Sequence, residues 1–295
     1  KENYFAYKEF INYKDDFLKL NPIQQLNGIE EAKERINKRF SGEIGVDMNY
    51  SKKSAFGKSF DFRLIKKSKR IKILIAPHCF YDSPHPFGDN LYPDVFDWLE
   101  ALIKISQKTD YDWYVKTHPD FLEKTKKMVI EIFENHSNFT ILPSNSSHLQ
   151  IVKEGIDFAL TMYGSIGFEY AAMNIPVINA SLNNPHISFD FNVNPESIEE
   201  YENILMNLKE LDHDINKTDV YRYYYMHKLF HSQNWLFEDY DKVIDDLGGY
   251  YGQFTPEMYQ YWINNWSSEK HQKILNGLRG FIESGEYLYN PIKSI

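Results

Sequence analysis

Phe158-Ala-Leu-Thr-Met-Tyr-Gly-Ser-Ile-Gly-Phe-Glu-Tyr-Ala-Ala-Met-Asn-Ile-Pro-Val-Ile-Asn-Ala180 is the stretch that decides the fold. Phe158-Ala-Leu-Thr161 is a short apolar run of strand type. A loop with Gly164 follows, then helical spacing from Ile166 to Met173, then a second strand, Val177-Ile-Asn-Ala180. Strand, helix and strand at this spacing form a βαβ unit, whose two strands lie parallel.

Working outward, the pattern repeats. Ile71-Lys-Ile-Leu-Ile-Ala-Pro77 is β-branched and ended by proline, so it reads as a buried strand. Val95, Trp98, Leu99, Leu102 and Ile105 place a helix over 94–107. Asp112-Trp-Tyr-Val-Lys116 is a strand stopped at His118-Pro119, residues 121–135 are helical, and Phe139-Thr-Ile-Leu142 is a strand closed by Pro143. Ser147 is placed as the N-cap of a helix through Leu149, Ile151 and Val152. Toward the N-terminus, Asn21-Pro22 opens a helix with Ile23, Leu26, Ile29 and Ile36 on its apolar face, and 41–58 reads as a connector. From Pro195 onward the chain is helical and aromatic; Gly248-Gly249 breaks one helix, and 253–285 reads as a terminal helical pair packing on the sheet or on a partner domain. The expected fold class is α/β: a Rossmann-like parallel sheet flanked by helices, with helical N- and C-terminal segments. The expected divisions are 1–62, 63–245 and 246–295.

Composition removes several classes. The 295 residues carry 33 Lys plus Arg against 42 Asp plus Glu, a net charge of −9. An acidic balance argues against a nucleic-acid binder, which needs a basic face. Cys79 is the single cysteine, so neither an intrachain disulfide nor a cysteine cluster for zinc or iron–sulfur is possible. No apolar run approaches the roughly 20 residues that span a bilayer. The chain begins at Lys1 without a signal peptide, which leads us to expect a cytoplasmic protein, trimmed at its N-terminus. Asp15-Asp16 and Asp245-Asp246 are expected on solvated faces, and the tyrosines 223–225 in a core.

The chemistry-bearing residues cluster where strands end, which is where open parallel sheets bind ligands. In Lys116-Thr-His-Pro119, Lys116 is a point charge suited to phosphate and His118 can donate a second hydrogen bond. The bland alternative is a surface lysine and a turn histidine. Gly164 would let a backbone approach a ligand closely, Ser165 sits near a helix N-terminus that favours anions, Gly167 is the second glycine of this strand–loop–helix–strand unit, and Glu169 could accept from ribose hydroxyls. The alternative is a tight turn with an acid stabilising the first helical turn. The loop after the first strand holds His78, Asp82, His85 and Asp89. Asp82, His85 and then His78 are the candidates for a general base, against the reading of an ordinary solvated loop. His78, Asp82 and His85 match no strong metal-site spacing, so no metal is expected. His186, after the fifth strand, either faces the same cleft or is a structural loop histidine.

The order of these motifs resembles the donor-binding half of bacterial capsule and surface polysaccharide glycosyltransferases of the two-Rossmann-domain, metal-independent (GT-B) type, over roughly residues 65–245. His118-Pro119 is similar to the His-Pro motif of sialyl- and Kdo-transferases, which contacts the donor's nucleotide phosphate. Lys116-Thr-His-Pro119 is also similar to the Lys-x-His-Pro of teichoic-acid glycerophosphotransferases, which use CDP-linked donors. Ser165 resembles the phosphate-binding serine of the sialyltransferases' second motif, and Glu169 stands where many such enzymes hold the donor ribose. One serine stands where sialyltransferases tend to have two, and Thr161-Met-Tyr-Gly-Ser165 replaces the teichoic-type Ser-Asp-Tyr-Ser-Ser run. The resemblance implies sugar transfer from a CMP-, UDP- or GDP-linked donor to a polysaccharide or lipid-linked glycan, with inversion and without a further cofactor. It also implies an N-terminal acceptor domain, for which 1–62 is too short, or other capsule-assembly proteins as partners, and peripheral contact with the inner membrane face. The alternatives are a polyol-phosphate transferase, a sugar-nucleotide 2-epimerase and a non-catalytic capsule-assembly module.

Overall fold

The computed structural model describes residues 8–48, 51–81, 89–120, 122–230 and 240–285. Five strands, β1 (Lys72–Ile75), β2 (Asp112–Val115), β3 (Phe139–Ile141), β4 (Phe158–Thr161) and β5 (Val177–Asn179), form one sheet in the order β3-β2-β1-β4-β5. All four pairings are parallel; Leu74 lies opposite both Tyr114 and Ala159. The expected α/β class and all five strands are therefore present. Strand order reverses between β1 and β4, the switch point at which such sheets leave a crevice beyond their carboxyl ends.

Side-chain alternation divides the interior in two. Ile73, Ile75, Trp113, Val115, Leu160 and Ile178 enter one core with α3 (Val95–Ser106) and α7 (Ile198–Met206). Leu74, Tyr114, Ala159 and Val177 enter the other with α5 (His148–Lys153) and α6 (Ile166–Ala172). Covering both faces explains why the strands are almost continuously apolar. Asp94 caps α3 through the Asp97 N–H at 2.9 Å, and Trp98 Nε1–H donates to the Tyr201 hydroxyl at 2.8 Å, tying α3 to α7. α4 (Glu123–Phe133) adds Val129 and Phe133 to the first core. β3 is outermost on one side and only three residues long. On the other side, β5 carries a bridge from Ile178 to Val193.

A third core joins the N-terminal helices to the sheet layer. Phe10, Tyr13 and Phe17, from α1 (Tyr13–Lys19) and the turn before it, pack with Phe168 and Ala171 of α6 and with Val220, Tyr223 and Tyr224 of α8 (Lys217–Tyr224). α2 (Pro22–Phe40) opens as expected, with Pro22 in its first turn and a reciprocal Asn21–Gln24 capping box. Its buried face differs from the expected one. Ile23 and Leu26 are 70% and 66% exposed, while Gly28, Ala32 and Ile36 are buried. A β-carbon on Gly28 would lie 2.8 Å from the Tyr225 ring, so close helix packing there demands small residues and turns the bulky ones outward. Two further expectations change. Asp16 is buried, with its carboxylate accepting from Lys19 Nζ at 2.8 Å. Ser147 occupies the N-cap position of α5 without a capping bond, and its hydroxyl has no partner. Tyr223 and Tyr224 are core residues, as read.

α8 runs into a π-helical turn, Tyr225–Phe230. The C-terminal region holds α9 (Tyr240–Asp246), α10 (Pro256–Asn265) and α11 (Gln272–Ser284). Gly248 and Gly249, both at positive φ, end α9. The expected terminal pair is present as α10 and α11; Met258 of α10 packs on Val243 and Ile244 of α9. Among the described residues no helix is long and apolar enough to cross a membrane.

Candidate functional site

The Lys116 N–H donates to the Ile75 carbonyl at 3.0 Å, so Lys116 is the last residue β2 holds in register. Alternation from Tyr114 sends its side chain to the α5–α6 face. There it is 2% exposed, with Nζ 3.2 Å from His148 Nε2; His148 Nδ1 lies 2.8 Å from the Tyr170 hydroxyl. Burial pulls the Lys116 ammonium down to about 7, against an opposing pull from the Glu169 carboxylate. Burial, then the neighbouring Lys116 and His118, hold His148 well below the usual imidazole range, so its ring is neutral. When Lys116 is protonated it can only donate, so His148 Nε2 then accepts from it and Nδ1–H donates to the Tyr170 hydroxyl. His118 Nδ1 accepts the Asp120 N–H at 3.1 Å, and burial followed by the Lys116 charge lowers its pKa.

The loop after β4 and the helix it opens form the opposing wall. The Gly164 N–H donates to Thr161 Oγ1 at 3.1 Å, and a β-carbon on Gly164 would stand 2.9 Å from that oxygen. The tight contact at Gly164 is thus with the chain's own threonine. Ser165 is half-exposed at the start of α6 and makes no side-chain capping bond. Glu169 is buried and paired with the Arg39 guanidinium from the last turn of α2. Arg39 Nη1 also donates to the Val46 carbonyl at 3.1 Å, and the guanidinium lies 5.5 Å from the centre of the Phe168 ring. Lys228, on the π-turn, is lowered to about 8 by burial and by Arg39, with Asp47 and Glu169 opposing. Lys116, His118, Arg39 and Lys228 thus share the field of one carboxylate, Glu169.

At the switch point, His78 lies after β1 and Tyr163 after β4. Their rings meet with centroids 4.4 Å apart. This puts His78 beside the Gly164–Ser165 loop. Gly167 and His186 have a different setting. A β-carbon on Gly167 would lie 2.7 Å from His186 Nδ1 and 2.8 Å from Asn192 Nδ2. His186 is fully buried against Phe168, Phe191 and Tyr223, neither ring nitrogen has a partner, and burial draws it down to about 3. It is a core histidine behind α6. Asp82 and His85 lie outside the described residues. Among those described, no three His, Cys, Asp or Glu side chains gather as a metal site.

Lys116, His118 and Glu169 are therefore brought together, with His78, Gly164 and Ser165 at the neighbouring strand ends. Arg39, His148, Tyr170 and Lys228 join them without having been singled out in the sequence. Lys38-Arg39 carried one signal, but basic residues ending a helix also serve its dipole. A separate hollow of about 370 Å³, lined by Lys69, Arg70, Lys72 and Asp157, lies at the amino ends of β1 and β4 and holds none of these groups.

No protein-family model and no curated protein sequence matches the chain. Several solved structures are similar to parts of it. Thermosulfurimonas dismutans KpsC, a beta Kdo 2,4 transferase, is 13% identical with a TM-score of 0.43, over 69% of this chain and 56% of that one. Methanocaldococcus jannaschii UDP-GlcNAc 2-epimerase, solved with UDP-GlcNAc and UDP, is 14% identical with a TM-score of 0.38, over 52% of this chain and 44% of that one. The wall teichoic acid polymerase TagF is 14% identical with a TM-score of 0.32, over 72% and 44%. The chain thus covers about half the length of each of these proteins. No residue's role is carried over from these likenesses.

Proposed function

We propose that this chain is the donor-binding half of a glycosyltransferase that moves a sugar from a nucleotide-activated donor to a capsular or other surface polysaccharide. One observation carries the reading: Lys116 and His118 lie in the field of Glu169, which Arg39 pairs, at the carboxyl rim of a parallel sheet beside its switch point. When the glycosidic bond to the donor breaks, negative charge collects on the departing phosphate. Preorganised cations and N–H donors stabilise such charge most where water is excluded. Lys116 and His118 take that role, with Ser165 and the backbone at Gly164 beside them, and no metal is required of the reading. Arg39 occupies Glu169 Oε1, and Oε2 is assigned to a ribose hydroxyl. Deprotonation of the acceptor hydroxyl falls to the loop after β1, with Asp82, His85 and His78 as the bases. Direct attack by that hydroxyl inverts the anomeric centre. A lipid-linked acceptor would place the work at the inner membrane face, and a further acceptor-binding domain completes the enzyme.

A thermal-shift panel of CMP, UMP, CDP, UDP and GDP tests the donor site, because a ligand that binds only the folded state raises Tm by mass action. One of them is expected to raise Tm, and Lys116→Ala and His118→Ala to abolish that rise and sugar transfer while each variant stays folded. No shift with any nucleotide, or near-wild-type turnover in both variants, rejects the reading. Lys116-Thr-His-Pro119 equally suits a polyol-phosphate transferase. Product analysis separates the two: a glycoside supports sugar transfer, and a phosphodiester supports the second reading.

A further inference from the structure

Lys116 is a cation kept where a cation is costly. It is almost fully buried, and the one described carboxylate whose field it feels, Glu169, is already paired with Arg39. The groups around it come from four places. α5 presents His148 Nε2 at 3.2 Å, α6 presents Glu169 and Tyr170, its own loop presents His118, and α2 brings Arg39 across Glu169. The nearest of these, His148, is neutral and is itself held by the Tyr170 hydroxyl.

We propose that Lys116 takes up a proton as the donor's phosphate enters the site, and that His148, braced by Tyr170, is a positioning residue that holds the amine ready for it. This rests on the donor reading above. The step balances simply: the neutral amine's lone pair accepts one proton from solvent, the resulting ammonium donates to a phosphate oxygen, and no bond of the ligand changes. A fixed negative charge within about 4–6 Å favours the protonated form and reverses the effect of burial. Burial of the side chain beside a neutral imidazole lowers the Lys116 pKa to about 7, so the uncharged amine is accessible in the free protein at neutral pH. The empty site then avoids burying an unpaired charge, and the charge arrives together with its partner.

Titration calorimetry tests this on the whole chain, with UDP-glucose, GDP-mannose, CMP-sialic acid and CDP-glycerol as probes. Their phosphates are esterified, so the ligands themselves exchange no proton near neutrality. Each probe that binds is measured in two buffers of different ionisation enthalpy between pH 6 and 8.5. The expected uptake rises from near zero at pH 6, through about half a proton at pH 7, to about one at pH 8.5, with Kd weakening about tenfold per pH unit in the upper range. Equal heats in both buffers at pH 8.5 overturn the inference while leaving the donor reading intact. An uptake that disappears above pH 7.5 also overturns it, because that profile belongs to His118. Heat from none of the probes removes the donor reading and this inference with it. His148→Leu deletes the acceptor and is expected to move the midpoint of uptake down by about one pH unit, whereas His148→Gln, which restores an acceptor, keeps it. An unmoved midpoint in His148→Leu overturns the positioning role. If that variant does not fold, Tyr170→Phe carries the same test, with a smaller shift expected in the same direction and no shift overturning the role.

Discussion

Lys116 shows how a single buried side chain can be costly to the fold. Its pKa is about 7 in the folded protein against 10.5 in a solvated lysine, so between those values the unfolded chain binds more protons than the folded one. Stability attributable to this residue therefore rises with pH from about 7 to 10.5, and the penalty is fullest below pH 7. Lys116→Met is expected to stabilise the protein by about 3–5 kcal/mol at pH 6. That gain should shrink steadily toward pH 10, while nucleotide binding is lost throughout. Urea unfolding at a series of pH values measures it. A variant no more stable than wild type at pH 6 would mean that Lys116 is solvated in the protein.

Among the elements, α6 is the most constrained. Its Gly167 face meets His186 and Asn192 below ordinary contact distance for a β-carbon, and its Glu169 is held by α2. Gly167→Ala is expected to cost about 1–3 kcal/mol through overpacking, read as a lowered Tm. Combining it with His186→Ala should cost less than the sum of the two single changes, because the clash is then relieved. Strict additivity would show that the two residues do not touch. This also explains why Gly167 was hard to interpret in the sequence. A glycine opening a helix suits a ligand and a close-packed neighbour equally well, and only the placement of His186, on a loop beyond β5, separates the two. Gly28 of α2 repeats the lesson, since the ring that requires it belongs to Tyr225.

Across the whole molecule, legibility follows the range of the interactions. β1, β2, β4 and β5 could be read because each is covered on both faces and so is largely apolar, a local signal, and β3, at the margin, is marked by Phe139 and by Pro143 after it. The proximity of Lys116 and His118 to one another and to Glu169 could be foreseen because two follow β2 directly and the third lies in the helix that the loop after β4 opens. Arg39 could not, because its partner lies 130 residues away and nothing in its own helix distinguishes it from a basic C-terminal turn. That long tie brings the end of α2 to the candidate site. Arg39→Met leaves Glu169 buried without its paired guanidinium, with only the more distant charges of Lys116 and Lys228 to offset it, and is expected to destabilise by about 2–4 kcal/mol, whereas Arg39→Met with Glu169→Met should recover most of the loss. Equilibrium denaturation of the two variants compares them, and an Arg39→Met protein as stable as wild type would place the carboxylate in contact with water.

The sheet's margins have a consequence for solubility. A parallel sheet leaves a row of amides and carbonyls along each outer border, which a foreign strand can copy. Here one border is the short Phe139–Ile141 segment, cut off by Pro143 two residues later, and the other is partly occupied by Val193. Neither offers a long template, so fibrous growth through the sheet is disfavoured, and a concentrated solution is expected to bind no thioflavin T.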